Sequence, residues 1–135
     1  MKGLVINKNA NLFLVEAENK VYQLSPSGKT RAKGIFVGDY VDFSENITSV
    51  NKRKNLLIRP PVANIEKLFI VSSFEDPSPN TFIIDKLTVI ARHNGIEPII
   101  VFNKSDMGDF SSFETIYKNA GFKTYTVSAV TNDGF

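Results

Sequence analysis

The sequence predicts a β plus α/β chain: a small five-stranded barrel, then a β-α-β-α-β segment built on a parallel sheet. Three observations lead there. Short β-rich segments separated by turn residues fill about the first 60 positions, the pattern of a small barrel. Continuous apolar runs then alternate with helical periodicity, the pattern of a parallel sheet with crossover helices. Charge switches at the same place: residues 1–61 hold ten Lys or Arg against five Asp or Glu, and residues 62–135 hold six against nine. The Pro60-Pro61 pair sits at the switch, and consecutive prolines resist helix and strand alike. The expected division is therefore 1–61 for the barrel and 62–135 for the α/β part.

In the first part the strand candidates are Leu4–Asn7, Leu12–Ala17, Val21–Leu24, Tyr40–Ser44 and Ile47–Asn51. Ser25-Pro26-Ser27-Gly28-Lys29-Thr30 reads as a long turn. Five short strands fit an OB-fold barrel; an SH3-like barrel has a comparable count, which alone does not separate the two. In the second part Leu68–Val71 and Pro98–Phe102 read as strands buried on both faces. Between them Thr81–His93 reads as a helix, with Ile83, Leu87, Ile90 and Ala91 on one face, Asn80 as N-cap and Gly95 as terminator. A second helix opens on Ser111-Ser112-Phe113-Glu114, a capping-box pattern, and ends at Gly121. A third strand follows from about Lys123 to Val127, so the crossovers are right-handed and the strands parallel.

Composition removes several chemistries. The 135 residues contain no cysteine and one histidine, His93. A disulfide framework, a thiolate site and a histidine metal cluster are thereby excluded. His93 falls near a helix end, where a cation is favoured without any catalytic role. No apolar stretch approaches the roughly 20 residues that span a bilayer, and the N-terminus has too short an apolar core for a signal peptide. A cytoplasmic location without a membrane partner is the expectation.

The sharpest chemical signal is Asn103-Lys104-Ser105-Asp106, at the carboxyl end of the second parallel strand. Ligands of open α/β sheets bind beyond that end. The Asp106 carboxylate can accept from both the N1–H and the exocyclic amine of guanine. Adenine would leave it unpaired, a mismatch worth on the order of 1–3 kcal/mol. Lys104 can lay its stem along the base, and Asn103 can bond across to a neighbouring loop. A solvated polar turn could carry the same four letters. A second element stands at the next strand end, Thr126-Val127-Ser128-Ala129, where small residues let a backbone N–H reach a base oxygen. Both elements lie in the order a guanine pocket needs, with Asn103, Lys104, Asp106, Ser128 and Ala129 as its residues.

At this point the chain resembles the N-terminal part of the circularly permuted, ribosome-small-subunit-dependent GTPases of bacteria. The resemblance rests on Gly28-Lys29-Thr30-Arg31, Val37-Gly38-Asp39-Tyr40-Val41, the run Asn55 to Asn64, Asn103 to Asp106, and Ser128-Ala129. It covers essentially the whole chain; Met107 departs from the more frequent Leu. It implies an OB-fold, then the opening of a permuted P-loop GTPase domain. It also implies GTP or GDP with Mg²⁺ in a full-length parent, zinc on ligands beyond this chain, and the small ribosomal subunit and its rRNA as partners.

The phosphate-binding motif G-x-x-x-x-G-K-[ST] is not found. Gly28-Lys29-Thr30 has Gln23 where the first glycine belongs. Nor is there an Asp-x-x-Gly switch. The expectation is a fragment of a longer GTPase that is inactive alone, with no catalytic or metal-ligating residues of its own. Lacking the P-loop strand, it would have an open sheet edge through which copies associate. Candidate RNA contacts are Lys29, Arg31, Lys33, Lys52, Arg53, Lys54 and Arg59, in a half with net charge +5. The competing class is a non-catalytic RNA- or ribosome-binding module with an α/β scaffold.

Overall fold

A computed structural model describes residues 1–31 and 34–135, with the backbone alone at Lys29 and Arg31. Lys33 therefore lies outside the described residues. The chain divides into two compact units, Met1–Ile65 and Glu66–Phe135.

In the first unit β1 (Lys2–Asn9), β2 (Leu12–Ala17) and β3 (Lys20–Leu24) form a meander. After the four-residue helix α1 (Gly28–Arg31) come β4 (Tyr40–Phe43) and β5 (Ile47–Val50). The antiparallel sheet has the order β3-β2-β1-β4-β5. β1 shifts register between Val5 and Asn7, and such a bulge increases the local twist. The sheet curls until β5 meets the segment after β3: Ile47 N–H donates to Ser25 O and Ser27 N–H to Ile47 O, both at 2.9 Å. The result is an OB-like sheet whose ends meet at one short bridge, Pro26 to Ile47, rather than along a full ladder. Alternation along the strands sends Val5, Phe13, Val15, Leu24, Val41 and Phe43 into its core.

Three features of this unit differ from the sequence reading. The Ser25–Thr30 turn contains α1, because the Thr30 hydroxyl is buried and pairs with Ser27 and with Thr48 O at 2.9 Å each. The Pro60-Pro61 pair lies inside the first unit, in a hairpin of β6 (Leu56–Ile58) and β7 (Pro61–Ala63). Proline is tolerated there because Pro61 is the first residue of a short strand. Arg53 is an internal tie. Its guanidinium donates to Asp39 at 2.6 and 2.7 Å and to Gly34 O at 3.0 Å, and its plane lies over Phe36 at 4.9 Å. Asp39 is completely buried, and its hydrogen bonds hold Arg53 above its ordinary pKa. Gly38, at φ +88°, passes so close to the hairpin that a Cβ would sit 2.1 Å from Ala63 O. Only glycine fits there.

The second unit runs β8 (Lys67–Ser73), α2 (Thr81–His93), β9 (Glu97–Asn103), α3 (Ser111–Asn119) and β10 (Lys123–Thr126). Its parallel sheet has the order β10-β9-β8. Both helices cover one face, packing on Ile70, Ile100 and Phe102. The other face leaves Phe69, Val71 and Tyr125 more than half exposed. Asn80 caps α2 through Ile83 N–H at 3.2 Å. The buried side of α2 is Ile84, Thr88 and Ala91, one position round from the predicted face; Ile83 is exposed. The capping box of α3 does not form. Asp109 accepts from Ser111 N–H and hydroxyl at 2.8 and 2.9 Å, which hold its carboxyl below the ordinary range. Glu114 turns away to Lys118 and Thr126, and Lys118 is the larger cause of its lowered pKa. The Tyr117 hydroxyl donates to Asp85 at 2.9 Å and joins the helices; burial, then Asp85, pushes its pKa up to about 12.

Arg53→Met leaves the Asp39 carboxylate buried without its cation. The first unit is expected to lose roughly 3 kcal/mol, read from urea-induced loss of its own amide signals, while those of the second unit hold.

Candidate base-binding site at the strand ends

β9 is the central strand of its sheet, and its last residue, Asn103, emerges between the ends of β8 and β10. Parallel pairing continues past β10, where Val127 N–H donates to Phe102 O at 2.8 Å. The two polar loops are thereby held side by side. Lys104 adopts φ +66°, an unfavourable backbone state for a non-glycine residue. Two hydrogen bonds hold the turn: Ser105 N–H to Val127 O at 3.1 Å and Met107 N–H to Lys104 O at 3.0 Å.

Side chains then close the arrangement. Fully buried Ser128 donates its hydroxyl to Asp106 Oδ1 at 2.5 Å and accepts from Thr131 N–H at 3.2 Å. Asp106 itself is exposed, and the Ser128 hydroxyl holds its carboxylate through Oδ1. Asn103 Oδ1 accepts from Ala129 N–H at 3.1 Å. That amide is the donor which the sequence reading aims at a base oxygen, so a base must share it with Asn103 or take it over. The Lys104 ammonium donates to Glu75 O at 2.9 Å, with Asp76 O at 3.5 Å. Its stem therefore spans from the end of β9 to the loop after β8.

All five predicted residues, Asn103, Lys104, Asp106, Ser128 and Ala129, meet at this one end of the sheet. The loop carbonyls of Glu75 and Asp76 were not foreseen. A backbone acceptor leaves no mark in side-chain types, and only the Phe74-Glu75-Asp76-Pro77 run directly after a strand hinted at a shaped loop.

The arrangement suits a planar base carrying adjacent N–H donors, through Asp106. It offers no cradle for phosphates. The only Gly-Lys-Thr run opens a four-residue helix whose Thr30 hydroxyl is already tied to Thr48 O. Among the described residues no group of three or more His, Cys, Asp or Glu could hold a metal ion.

Of the basic candidates on the first unit, Lys52, Lys54 and Arg59 are exposed and Arg53 is engaged with Asp39. Two asparagines shape the segment that carries them. Asn64 accepts from Lys54 N–H and donates to Gly38 O, each at 2.8 Å, and Asn55 bonds both N–H and C=O of Ile65. No helix among the described residues is long and apolar enough to cross a membrane.

A sequence model of the RsgA GTPase family matches residues 50–135. The small ribosomal subunit biogenesis GTPase RsgA of Streptococcus pneumoniae is 35% identical over 138 residues, covering 93% of this chain and 47% of the relative. That of Mycoplasmopsis agalactiae is also 35% identical, covering 98% and 49%. The crystal structure of YjeQ from Thermotoga maritima superposes with a TM-score of 0.79 at 30% identity, over 96% of this chain and 52% of that one. YloQ, a circularly permuted GTPase, superposes at 0.72 and 30%, over 95% and 51%. The chain thus spans about half the length of these relatives. With a family match over residues 50–135, well more than half of the chain, and a fold shared with solved structures at 30% identity, the chain belongs to the RsgA GTPase family.

Proposed function

We propose that this chain is the guanine-recognising and RNA-docking part of a cytoplasmic GTPase that acts in biogenesis of the small ribosomal subunit. The observation that carries the reading is the exposed Asp106 carboxylate, oriented by buried Ser128 beside the Asn103–Ala129 pair. In this role Asp106 accepts from the two guanine N–H groups, Lys104 covers the base, and the Ala129 amide meets its oxygen. Asn103 keeps the two loops together. Mg²⁺ would accompany the phosphates and supply charge neutralisation during phosphoryl transfer. Among the described residues no amide-and-lysine cradle for the phosphates is formed, so in this reading the chain by itself binds the base weakly and does not hydrolyse GTP.

The first unit docks on the rRNA of the small subunit. Lys52, Lys54 and Arg59 project from its surface, and the phosphate backbone rewards such charges. Lys29, Arg31 and Lys33 extend the set by sequence.

Copies of the chain also associate through β8. Among the described residues β8 pairs only with β9, and its seven residues contain no proline. Val71, Phe82 and Ile83 expose apolar surface along that side. Antiparallel pairing of β8 with itself would bring Lys67 of each copy toward the Glu75-Asp76 end of the other, a charge-complementary register.

Asp106→Asn should exchange preference between GDP and xanthosine diphosphate by about tenfold or more, followed through the amide signals of residues 103–106 and 128–129. Silence of those amides toward both nucleotides would leave RNA docking as the function. Lys52→Gln and Arg59→Gln should each lower the slope of log affinity against log salt for small-subunit rRNA by about 1; unchanged slopes would remove these residues from the interface. Sedimentation at high concentration should show dimers that Val71→Lys returns to monomers, and a strictly monomeric wild type would refute the β8 edge.

A further inference from the structure

The loop after β8 is keyed to the guanine-side loop by one aromatic ring. Phe74 packs edge-on to Phe110, ring centroids 5.2 Å apart at 90°. It occupies the space that Gly108 leaves open: a Cβ on Gly108 would lie 2.1 Å from the ring. Phe110 in turn stacks on Phe102 at 4.9 Å, directly before Asn103. The residue after Phe74 is Glu75, whose carbonyl holds the Lys104 ammonium at 2.9 Å. Ser73 Oγ closes the same loop on Pro77 O at 2.9 Å.

We propose that Phe74 is a positioning residue for guanine binding: seated in the Gly108 notch, it fixes the Glu75 carbonyl, and through that carbonyl it sets how the Lys104 stem lies over the base. The inference rests on the guanine reading of this site. It separates two properties that share one loop. Asp106 with Ser128 decides which base is accepted, and Phe74 with Lys104 decides how firmly any purine with the same face is covered. Phe74 touches neither Asp106 nor Ser128 through any hydrogen bond, so its loss weakens binding without changing selectivity.

The test uses the chain as it stands. Phe74→Ala should weaken GDP about tenfold while the GDP-to-inosine-diphosphate ratio holds. Gly108→Ala, which pushes the ring from its notch, should do the same and serves if Phe74→Ala folds poorly. In a Lys104→Met background, which keeps the stem and removes the ammonium, Phe74→Ala should add less than about twofold. Equal losses in both backgrounds, or none in either, would overturn the proposal. Hydrogen exchange of the Ser105 and Met107 amides without nucleotide gives an independent reading. Faster exchange in Phe74→Ala supports the link, and unchanged exchange refutes it. If GDP fails to move the wild-type signals at 103–106 and 128–129, the guanine reading fails, and the exchange result alone decides whether Phe74 fixes the loop.

Discussion

The site depends on the parallel pairing of β9 with β8 on one side and β10 on the other. A central parallel strand has its N–H and C=O groups satisfied on both sides, so its register admits no slip without loss of hydrogen bonds along its length. That register runs unbroken from the Lys67–Glu97 pair to the Ser73–Asn103 pair, and from Lys123–Ile99 to Thr126–Phe102. All three strands therefore end at one level. Asn103 can reach the Ala129 amide, and Asp106 can reach Ser128, only because of that levelling. A one-residue shift of β10 would turn buried Ser128 to the other face and leave Asp106 without its orienting hydroxyl.

Beneath these loops lies an aromatic layer. Phe102, Phe110, Phe113 and Tyr117 pack with ring centroids between 4.9 and 6.4 Å, in the offset and tilted arrangements that aromatic quadrupoles favour. Phe102 is the strand residue next to Asn103, and Phe110 directly precedes α3 after the Lys104 turn. The same rings thus hold both ends of the loop that carries Lys104. This explains how a backbone as unfavourable as that of Lys104 persists: packing around it over-determines the turn. Among the described residues the opposite face of the sheet has no such layer, and parallel sheets are ordinarily covered on both faces. Phe69, Val71 and Tyr125 lie there more than half exposed.

The first unit solves a different problem, the attachment of a long segment to a small curled sheet. It does so with polar groups. Buried Asp39 and Arg53 join the loop before β4 to the segment after β5, and the amides of Asn55 and Asn64 tie that segment to the β6–β7 hairpin. These residues carry backbone-like hydrogen bonding where no ladder exists. Lys52, Lys54 and Arg59 are exposed on this ordered base.

Strand and helix positions were legible because alternation and helical spacing are local properties. So was the Asn103-Lys104-Ser105-Asp106 run at the end of β9, which is written in side-chain types at fixed offsets. Parallel pairing of the three strands follows from the β-α-β-α-β alternation, whereas their order, β10-β9-β8, is fixed only by the tertiary pairing. Less was legible where one charge or ring serves two possible partners. Arg53 sits in a basic run with Lys52 and Lys54, and sequence cannot tell which of three neighbours turns inward; burial of Asp39, fourteen positions earlier, decides it. The capping box of α3 failed for the same reason, since Asp109 competed for Ser111 and Thr126 drew Glu114 away. The sequence by itself determined which donors and acceptors stand at the strand ends, because these are properties of residues. The tertiary structure alone decided which of them are free to act, because long-range packing sets whether a polar group meets a ligand or another part of the chain.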